Sequence, residues 1–294
     1  MRDTEEKLVI QSSAVVRSPA VCRPAVCFPA VCCPAVNGRS AGLRPTALRA
    51  EMLSANCWSA LLPAALATRR AGQLASAPPD LPSAAGIHVK HFDLDREDAS
   101  LDCLSVDETA RAAHFHFERD ARRWAVGRSL LRSTLAEFLG KNPSALSFET
   151  GPFGKPHLPD CLLRFSVSHS GSALLIVLAW NKEVGVDIEC LRGDFVPEEL
   201  AAQVFSPKEQ AAIERVPIQE RHAAFLRQWT AKEAYVKSLG TGLSFPLSRL
   251  TLTPNAETDV YEAKDLTDAG TQAAISVCRL DCPPGFAASL AYVT

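Results

Sequence analysis

The alternation of apolar and polar positions predicts a chain that mixes strands and helices. Ile87-His-Val-Lys-His-Phe92 alternates with period two, the pattern of a half-buried strand. From about Asp107 to Leu139 the spacing becomes helical. The second part of that stretch sets Trp124, Leu131, Leu135 and Phe138 on one face, and Gly140 and Pro143 stop it. Phe165-Ser-Val167, Leu174 to Trp180 and Val184 to Ile188 read as strands. Ser206-Pro-Lys-Glu209 predicts a helix start: a serine cap, proline at the first position and glutamate at the third. A further helix spans about Glu220 to Leu239 and ends at Gly240. Leu250 to Thr253, Ala274 to Leu280 and Ala287 to Val293 are strand-like. Strands and helices that do not alternate strictly indicate an α+β fold rather than a doubly wound sheet.

The N-terminal part has a different pattern. From Pro19 to Val36 the unit Pro-Ala-Val-Cys-x recurs, with prolines at 19, 24, 29 and 34. Proline at every fifth position removes donors and blocks both helix and central strand, so a low-complexity, largely extended segment is expected. A short helical patch around Leu48 to Leu66 and a linker at Ser76-Ala-Pro-Pro-Asp-Leu-Pro-Ser83 follow. Residues 1–85 therefore read as an extension, either a passenger or a partner-binding tail, and ordered structure should begin near Gly86.

Composition narrows the function classes. The 294 residues are 47% hydrophobic and 22% charged, the balance of a globular protein, and the net charge of -2 gives no basic field for nucleic acid. No apolar run approaches a membrane span, and the N-terminus carries Asp3, Glu5 and Glu6 where a secretory signal needs cations. A cytoplasmic protein is the expectation. The ten cysteines form no Cys-x-x-Cys pair, so incidental reduced thiols are expected rather than a metal-thiolate site.

Four clusters carry chemistry. In Gly185-Val-Asp-Ile-Glu189 a strand would present Asp187 and Glu189 on one face, where two acids repel unless a cation sits between them. A hard divalent ion such as Mg²⁺ suits such a pair, although a solvent-facing strand with two acids is the plain alternative. In Trp229-Thr-Ala-Lys-Glu-Ala-Tyr-Val-Lys237, Glu233 and Lys237 share a helix face, which a simple surface pair would also explain. Ser166-Val-Ser-His-Ser-Gly171 offers hydroxyls, an imidazole and backbone N–H groups to an anion, or else a structural histidine. Gly151-Pro-Phe-Gly-Lys-Pro156 makes a turn that presents Lys155 but is not a phosphate loop. Arginines 119, 122, 123, 128 and 132 lie on the first helical stretch, and Arg123 and Arg128, near Trp124, can grip a phosphate.

Taken in order, Gly154-Lys-Pro156, Ser166-Val-Ser-His-Ser170, Gly185-Val-Asp-Ile-Glu189, Phe205-Ser-Pro-Lys-Glu209, Trp229 to Lys237 and Gly240-Thr-Gly-Leu243 resemble the 4'-phosphopantetheinyl transferases, in particular the larger pseudo-dimeric, surfactin-synthetase-activating type. The resemblance covers roughly Ile87 to Thr294. It implies two similar halves related by pseudo-twofold symmetry, here 86–190 and 191–294, with the active site between them, in a monomer. It implies transfer of 4'-phosphopantetheine from coenzyme A to a serine of an apo acyl or peptidyl carrier protein, with release of adenosine 3',5'-bisphosphate. Asp187, Glu189 and Glu233 look like the family's Mg²⁺ carboxylates. Glu233, directly or through a water, resembles the base, with Lys232 beside it at the reacting centre. Lys237, Ser168 and His169 resemble phosphate contacts, Lys155 a nucleotide contact and Arg123 the 3'-phosphate contact. The run His114-Phe-His-Phe-Glu118 departs from the basic residues that the family often places before this helix. Two other classes fit some of the residues: a Mg²⁺-dependent phosphate-ester hydrolase and a non-catalytic carrier-binding module.

Overall fold

The computed structural model describes residues 86–192, 198–255, 257–265 and 274–294. The proline-cysteine repeat, the patch at 48–66 and the linker at 76–83 lie outside the described residues.

The first strand, β1 (Ile87–Asp93), pairs antiparallel with β5 (Ala173–Trp180), which in turn forms a hairpin with β4 (Leu163–Ser170), giving a sheet of order β1-β5-β4. Two helices separate β1 from that hairpin: α1 (Val106–Ala113) and α2 (Glu118–Leu139). The single helical stretch expected from Asp107 is thus broken at 114–117. A second capping box, unnoticed in the pattern, starts α1: Ser105 accepts from the Glu108 N–H and Glu108 accepts from the Ser105 N–H. The aromatic run then leaves helical geometry, and Phe115 turns back onto Trp124 with ring centroids 6.0 Å apart. Leu131 and Leu135 of α2 are fully buried against Leu163 and Phe165 of β4 and Leu174, Ile176 and Leu178 of β5. Each such side chain contributes about 1.5–3 kcal/mol by leaving water. Gly140 ends α2 in the left-handed conformation at φ 61°.

The rest of the chain repeats that order of elements. A strand, β6 (Val184–Cys190), is followed by α3 (Glu198–Val204), α4 (Pro207–Glu214) and the long α5 (Arg221–Leu239). Strands β7 (Leu250–Pro254), β8 (Val260–Asp265), β9 (Ile275–Arg279) and β10 (Phe286–Val293) complete a sheet of order β6-β10-β9-β8-β7, beside a small β2 (Glu149–Thr150) and β3 (Pro156–His157) hairpin in the first half. The expected capping box at Ser206 and Glu209 is present, with Pro207 as the first residue of α4. Strand β8 was not legible, because Tyr261-Glu-Ala-Lys-Asp265 is mostly polar and within 260–264 only Tyr261 is buried. Strand β6 hydrogen-bonds to β10, so it belongs with the second sheet although the expected division fell after Cys190.

The two sheets meet through a shared core. Leu175, Val177 and Ala179 of β5 pack with Val184, Val186 and Ile188 of β6 and with Ala288 and Leu290 of β10. On its other side β6 is crossed very closely by α5. A Cβ on Gly185 would stand 2.0 Å from the Ala234 carbonyl oxygen, so only glycine lets the helix approach there. Among the described residues no helix is long and apolar enough to cross a membrane.

Candidate active site

Strand β6 is the edge of its sheet, and its outward N–H groups need acceptors. Strand β4 supplies them with side chains. Ser166, Ser168 and Ser170 lie two apart and share one face of β4. Their hydroxyl oxygens accept from the backbone N–H of Val186 (3.1 Å), Ile188 (3.3 Å) and Cys190 (3.1 Å). Two of the three then hand their own protons to the acids of β6. Ser168 donates to Asp187 Oδ1 at 2.7 Å, and Ser170 donates to Glu189 Oε2 at 2.9 Å. The serine run therefore joins the two sheets and aims both carboxylates.

Helix α5 completes the cluster. Lys237 Nζ lies 2.6 Å from Asp187 Oδ1 and 3.3 Å from Ser168 Oγ. Glu233, one turn earlier on the same face, interacts with both Asp187 and Lys237. The region is buried: Asp187 is 0% and Glu233 6% exposed. Burial, and then the Asp187 charge, raise the Glu189 carboxyl to about 8. Burial raises Glu233 to about 7, with Asp187 adding to it and Lys237 opposing. Burial pulls Lys237 the other way, but Asp187, Glu233 and Glu189 together hold its ammonium above the usual lysine value. His169 is pushed down to about 4, by burial first and then by the Lys237 and Arg123 charges, and so is neutral at pH 7. A neutral imidazole can donate one hydrogen bond to an anion without adding charge.

The sequence-derived candidates do not all gather here. Asp187, Glu189, Glu233, Lys237, Ser168 and His169 do. Arg123 is close enough for its charge to reach His169, but it already grips Asp95 through Nε at 2.7 Å and Nη2 at 2.6 Å. Lys155 is engaged internally: Nζ donates to Glu183 Oε2 (2.7 Å), the Val184 carbonyl (3.1 Å) and the Ser238 carbonyl (3.3 Å). Its ammonium ties the turn before β3 to β6 and α5, where a nucleotide contact was expected.

Lys232 is a correction. It neighbours Glu233 in sequence, yet successive helix residues point about 100° apart. Its side chain enters the core instead, is 0% exposed, and pairs with Glu209 Oε2 at 2.6 Å. Nζ also donates to the carbonyls of Val204 (2.8 Å), Leu247 (2.8 Å) and Leu250 (2.7 Å). A lysine with four buried acceptors anchors a helix and offers nothing to a reacting centre. Sequence reasoning turned the hydroxyls of Ser166 and Ser170 toward an anion, whereas both accept from the β6 backbone. Their period-two spacing opposite an edge strand was the signal.

Asp187 Oδ2 and Glu233 Oε1 are buried with no hydrogen-bond partner. Two orphaned carboxylate oxygens, beside a third acid raised by burial and then by the Asp187 charge, form an all-oxygen donor set of the kind a hard divalent cation takes. Among the described residues no three side chains already stand as a ready-made metal cluster. The fit therefore rests on the donor chemistry. A cavity of about 70 Å³ opens beside Lys237, lined among others by Phe153, Pro156, Ser166, Val167 and Gly242. A larger cavity of about 250 Å³ between α4, α5 and β7 contains none of the three acids in its lining and lies apart from this chemistry.

Comparison with known proteins bears directly on this arrangement. Residues 183–291 match the model of the 4'-phosphopantetheinyl transferase superfamily, and residues 95–181 match that of the 4'-phosphopantetheinyl transferase N-terminal region. The chain is 36% identical to the 4'-phosphopantetheinyl transferase HetI of Nostoc sp. over 166 residues, covering 54% of this chain and 70% of that protein. It is 28% identical to the 4'-phosphopantetheinyl transferase Sfp of Bacillus subtilis over 185 residues, covering 62% of this chain and 79% of that protein. A solved holo-(acyl-carrier-protein) synthase from Bacillus anthracis in complex with CoA (3',5'-ADP) aligns at 16% identity. That alignment covers 38% of this chain and 94% of that one, with a TM-score of 0.32, a likeness too low to build on.

Proposed function

The chain belongs to the 4'-phosphopantetheinyl transferase superfamily and is an enzyme of that class, and from that premise we propose how its own residues carry the transfer. The substrate is coenzyme A and the acceptor is a serine of an apo acyl or peptidyl carrier protein. The observation that supports this most is the convergence of Asp187 and Glu189 from β6 with Glu233 and Lys237 from α5, with two carboxylate oxygens left unpaired.

Asp187, Glu189 and Glu233 would hold Mg²⁺. When bound, the ion supplies positive charge at the diphosphate of coenzyme A and favours displacement at phosphorus. Glu233, directly or through a water, takes the proton of the attacking serine. The serine Oγ–P bond forms as the bond to adenosine 3',5'-bisphosphate breaks. Lys237 keeps its ammonium at the site and meets the charge that develops on the phosphate oxygens. Neutral His169 donates a hydrogen bond to a phosphate oxygen. Arg123, already fixed by Asp95, presents the free edge of its guanidinium to the 3'-phosphate.

We also propose that the halves are related by a pseudo-twofold axis, with the boundary at 181–183, ahead of β6. Several pairs of features support this. The strand orders β1-β5-β4 and β6-β10-β9 correspond. Both long helices end at a left-handed glycine, Gly140 and Gly240. The Glu108 carboxylate of one capping box receives Arg128 and Arg132 from α2, and the Glu209 carboxylate of the other receives Gln228 and Lys232 from α5. Even the first-strand-to-helix ion pair recurs with its charges exchanged: Lys90 with Glu137, and Asp187 with Lys237. With both halves in one chain, the enzyme acts as a monomer.

Intact-protein mass spectrometry of an apo carrier protein incubated with the enzyme, coenzyme A and Mg²⁺ tests the reading. The expected result is a gain of one phosphopantetheine, abolished by chelator and lowered on the order of a hundredfold or more in rate by Glu233→Ala. Loss of phosphate from coenzyme A with no gain on fatty-acid, polyketide and peptide carriers alike would instead point to a hydrolase.

A further inference from the structure

The serine run of β4 does more than close an edge strand. We infer that Ser170 is a positioning residue for Glu189: it aims that carboxyl from the neighbouring sheet, whereas Ser166 only closes the edge of β6. The inference rests on the reading of Glu189 as a metal-holding carboxylate.

The geometry is specific to a hydroxyl. Ser170 Oγ accepts the Cys190 N–H at 3.1 Å, which occupies a lone pair and leaves its single proton to be aimed elsewhere. That proton goes to Glu189 Oε2 at 2.9 Å. No other hydrogen bond to the Glu189 side chain occurs among the described residues. Without that donor nothing on β4 would fix the rotation of the carboxyl about its side chain. Ser170 holds one oxygen, Oε2, and leaves Oε1 without a hydrogen bond among the described residues. Because the same hydroxyl is bonded to the backbone of Cys190, the next residue of β6, the carboxyl is fixed relative to its own strand. The serine itself is carried by a strand of the other sheet. The position of Glu189 therefore depends on both halves being in register.

The run contains its own control. Ser166 makes the equivalent backbone bond, to the Val186 N–H at 3.1 Å, but no hydrogen bond joins it to an acid. Any effect of loosening the edge of β6 is common to Ser166→Ala and Ser170→Ala. Only the second removes a donor from a carboxylate.

The experiment uses the full chain and measures Mn²⁺ affinity by the electron paramagnetic resonance of the free ion, together with kcat and the KM for coenzyme A. Thermal melting verifies that each variant is folded. Ser170→Ala should weaken Mn²⁺ binding on the order of tenfold to a hundredfold, the usual cost of removing a group that orients a metal ligand. Its kcat should fall while the KM for coenzyme A stays close to wild type. Ser166→Ala should lower the melting temperature without moving Mn²⁺ affinity, and Ser170→Thr, which keeps the hydroxyl, should restore it. The inference is overturned if Ser170→Ala binds Mn²⁺ as wild type does, or if Ser166→Ala weakens binding equally. A wild-type chain that binds Mn²⁺ but transfers nothing would sink the catalytic reading while the affinity comparison still decides the role of Ser170. A wild-type chain that binds no Mn²⁺ would remove the metal reading and this inference with it.

Discussion

Glu233 is buried and Glu189 half-buried, and the protons of both acids are hard to remove until a cation arrives. Their carboxyls are raised to about 8 and about 7, in each case chiefly by burial. The ion must displace those protons, so its affinity should depend on pH. From pH 8 down to pH 6 the apparent Mg²⁺ affinity should fall with a steepening slope, approaching about tenfold per unit for each proton displaced once pH lies below that carboxyl's value. Stability should show the same linkage with a definite sign. A carboxyl whose folded value lies above its unfolded value stabilises the fold while protonated and loses that contribution as pH rises through the folded value. His169 acts oppositely, since its folded value of about 4 costs stability as pH falls below the usual histidine range. In the window from about pH 6.5 to 8 the acids alone titrate in this cluster. The melting temperature in chelator should therefore decline across that window, and added Mg²⁺ should stabilise most at its upper end. A metal-free melting temperature that rises across the window would contradict the assigned charges.

At the level of elements, α5 owes its rotation and depth to a pair that lies away from the acids. Glu209 accepts from Lys232, from Gln228 Nε2 at 2.6 Å, from the Leu252 N–H at 2.9 Å and from the Ser206 N–H at 2.7 Å. All of its acceptor positions face donors, and Lys232 in turn bridges α3, α5 and the approach to β7. Truncating one partner of a buried pair strands the other, at a cost of about 3–5 kcal/mol. Lys232→Met should therefore appear first as a large drop in chemical-denaturation midpoint, with Glu209→Gln showing a smaller drop of the same kind. A Lys232→Met protein as stable as wild type but inactive would return Lys232 to the reacting centre. This residue marks where sequence reading reached its limit. The helix, its glycine stop and the capping box at Ser206 were all legible, because each is a local pattern of residue types. Whether Lys232 faces solvent, substrate or core is decided by what packs on α5, and neither Leu247 nor Leu250 announces that its carbonyl will receive an ammonium. The same holds for Lys155, whose turn was legible and whose partners were not. Asp187 and Glu189 were legible because period two puts them on one face whatever the strand packs against. The serines opposite them became meaningful only once β4 and β6 were seen to meet edge to edge.

For the whole molecule, the decisive feature is that the acid cluster draws on both sheets. The acids and Lys237 lie on β6 and α5, while Ser168, His169, Ser170 and Arg123 come from the first half. Lys155 reinforces the junction by binding Glu183, Val184 and Ser238 from the first half's side. On β1 the lysine Lys90 pairs with Glu137 of α2, whereas on β6 the acid Asp187 pairs with Lys237 of α5. Both family matches, at 95–181 and 183–291, fall within residues 86–294. A chain beginning at Gly86 should thus keep its melting temperature and its rate of carrier modification, measured by the same mass assay on carriers of each class. Loss of turnover on one carrier class alone, with stability unchanged, would give residues 1–85 a part in choosing the partner. Loss of both would mean that the two halves are not sufficient and that the extension contributes to the fold.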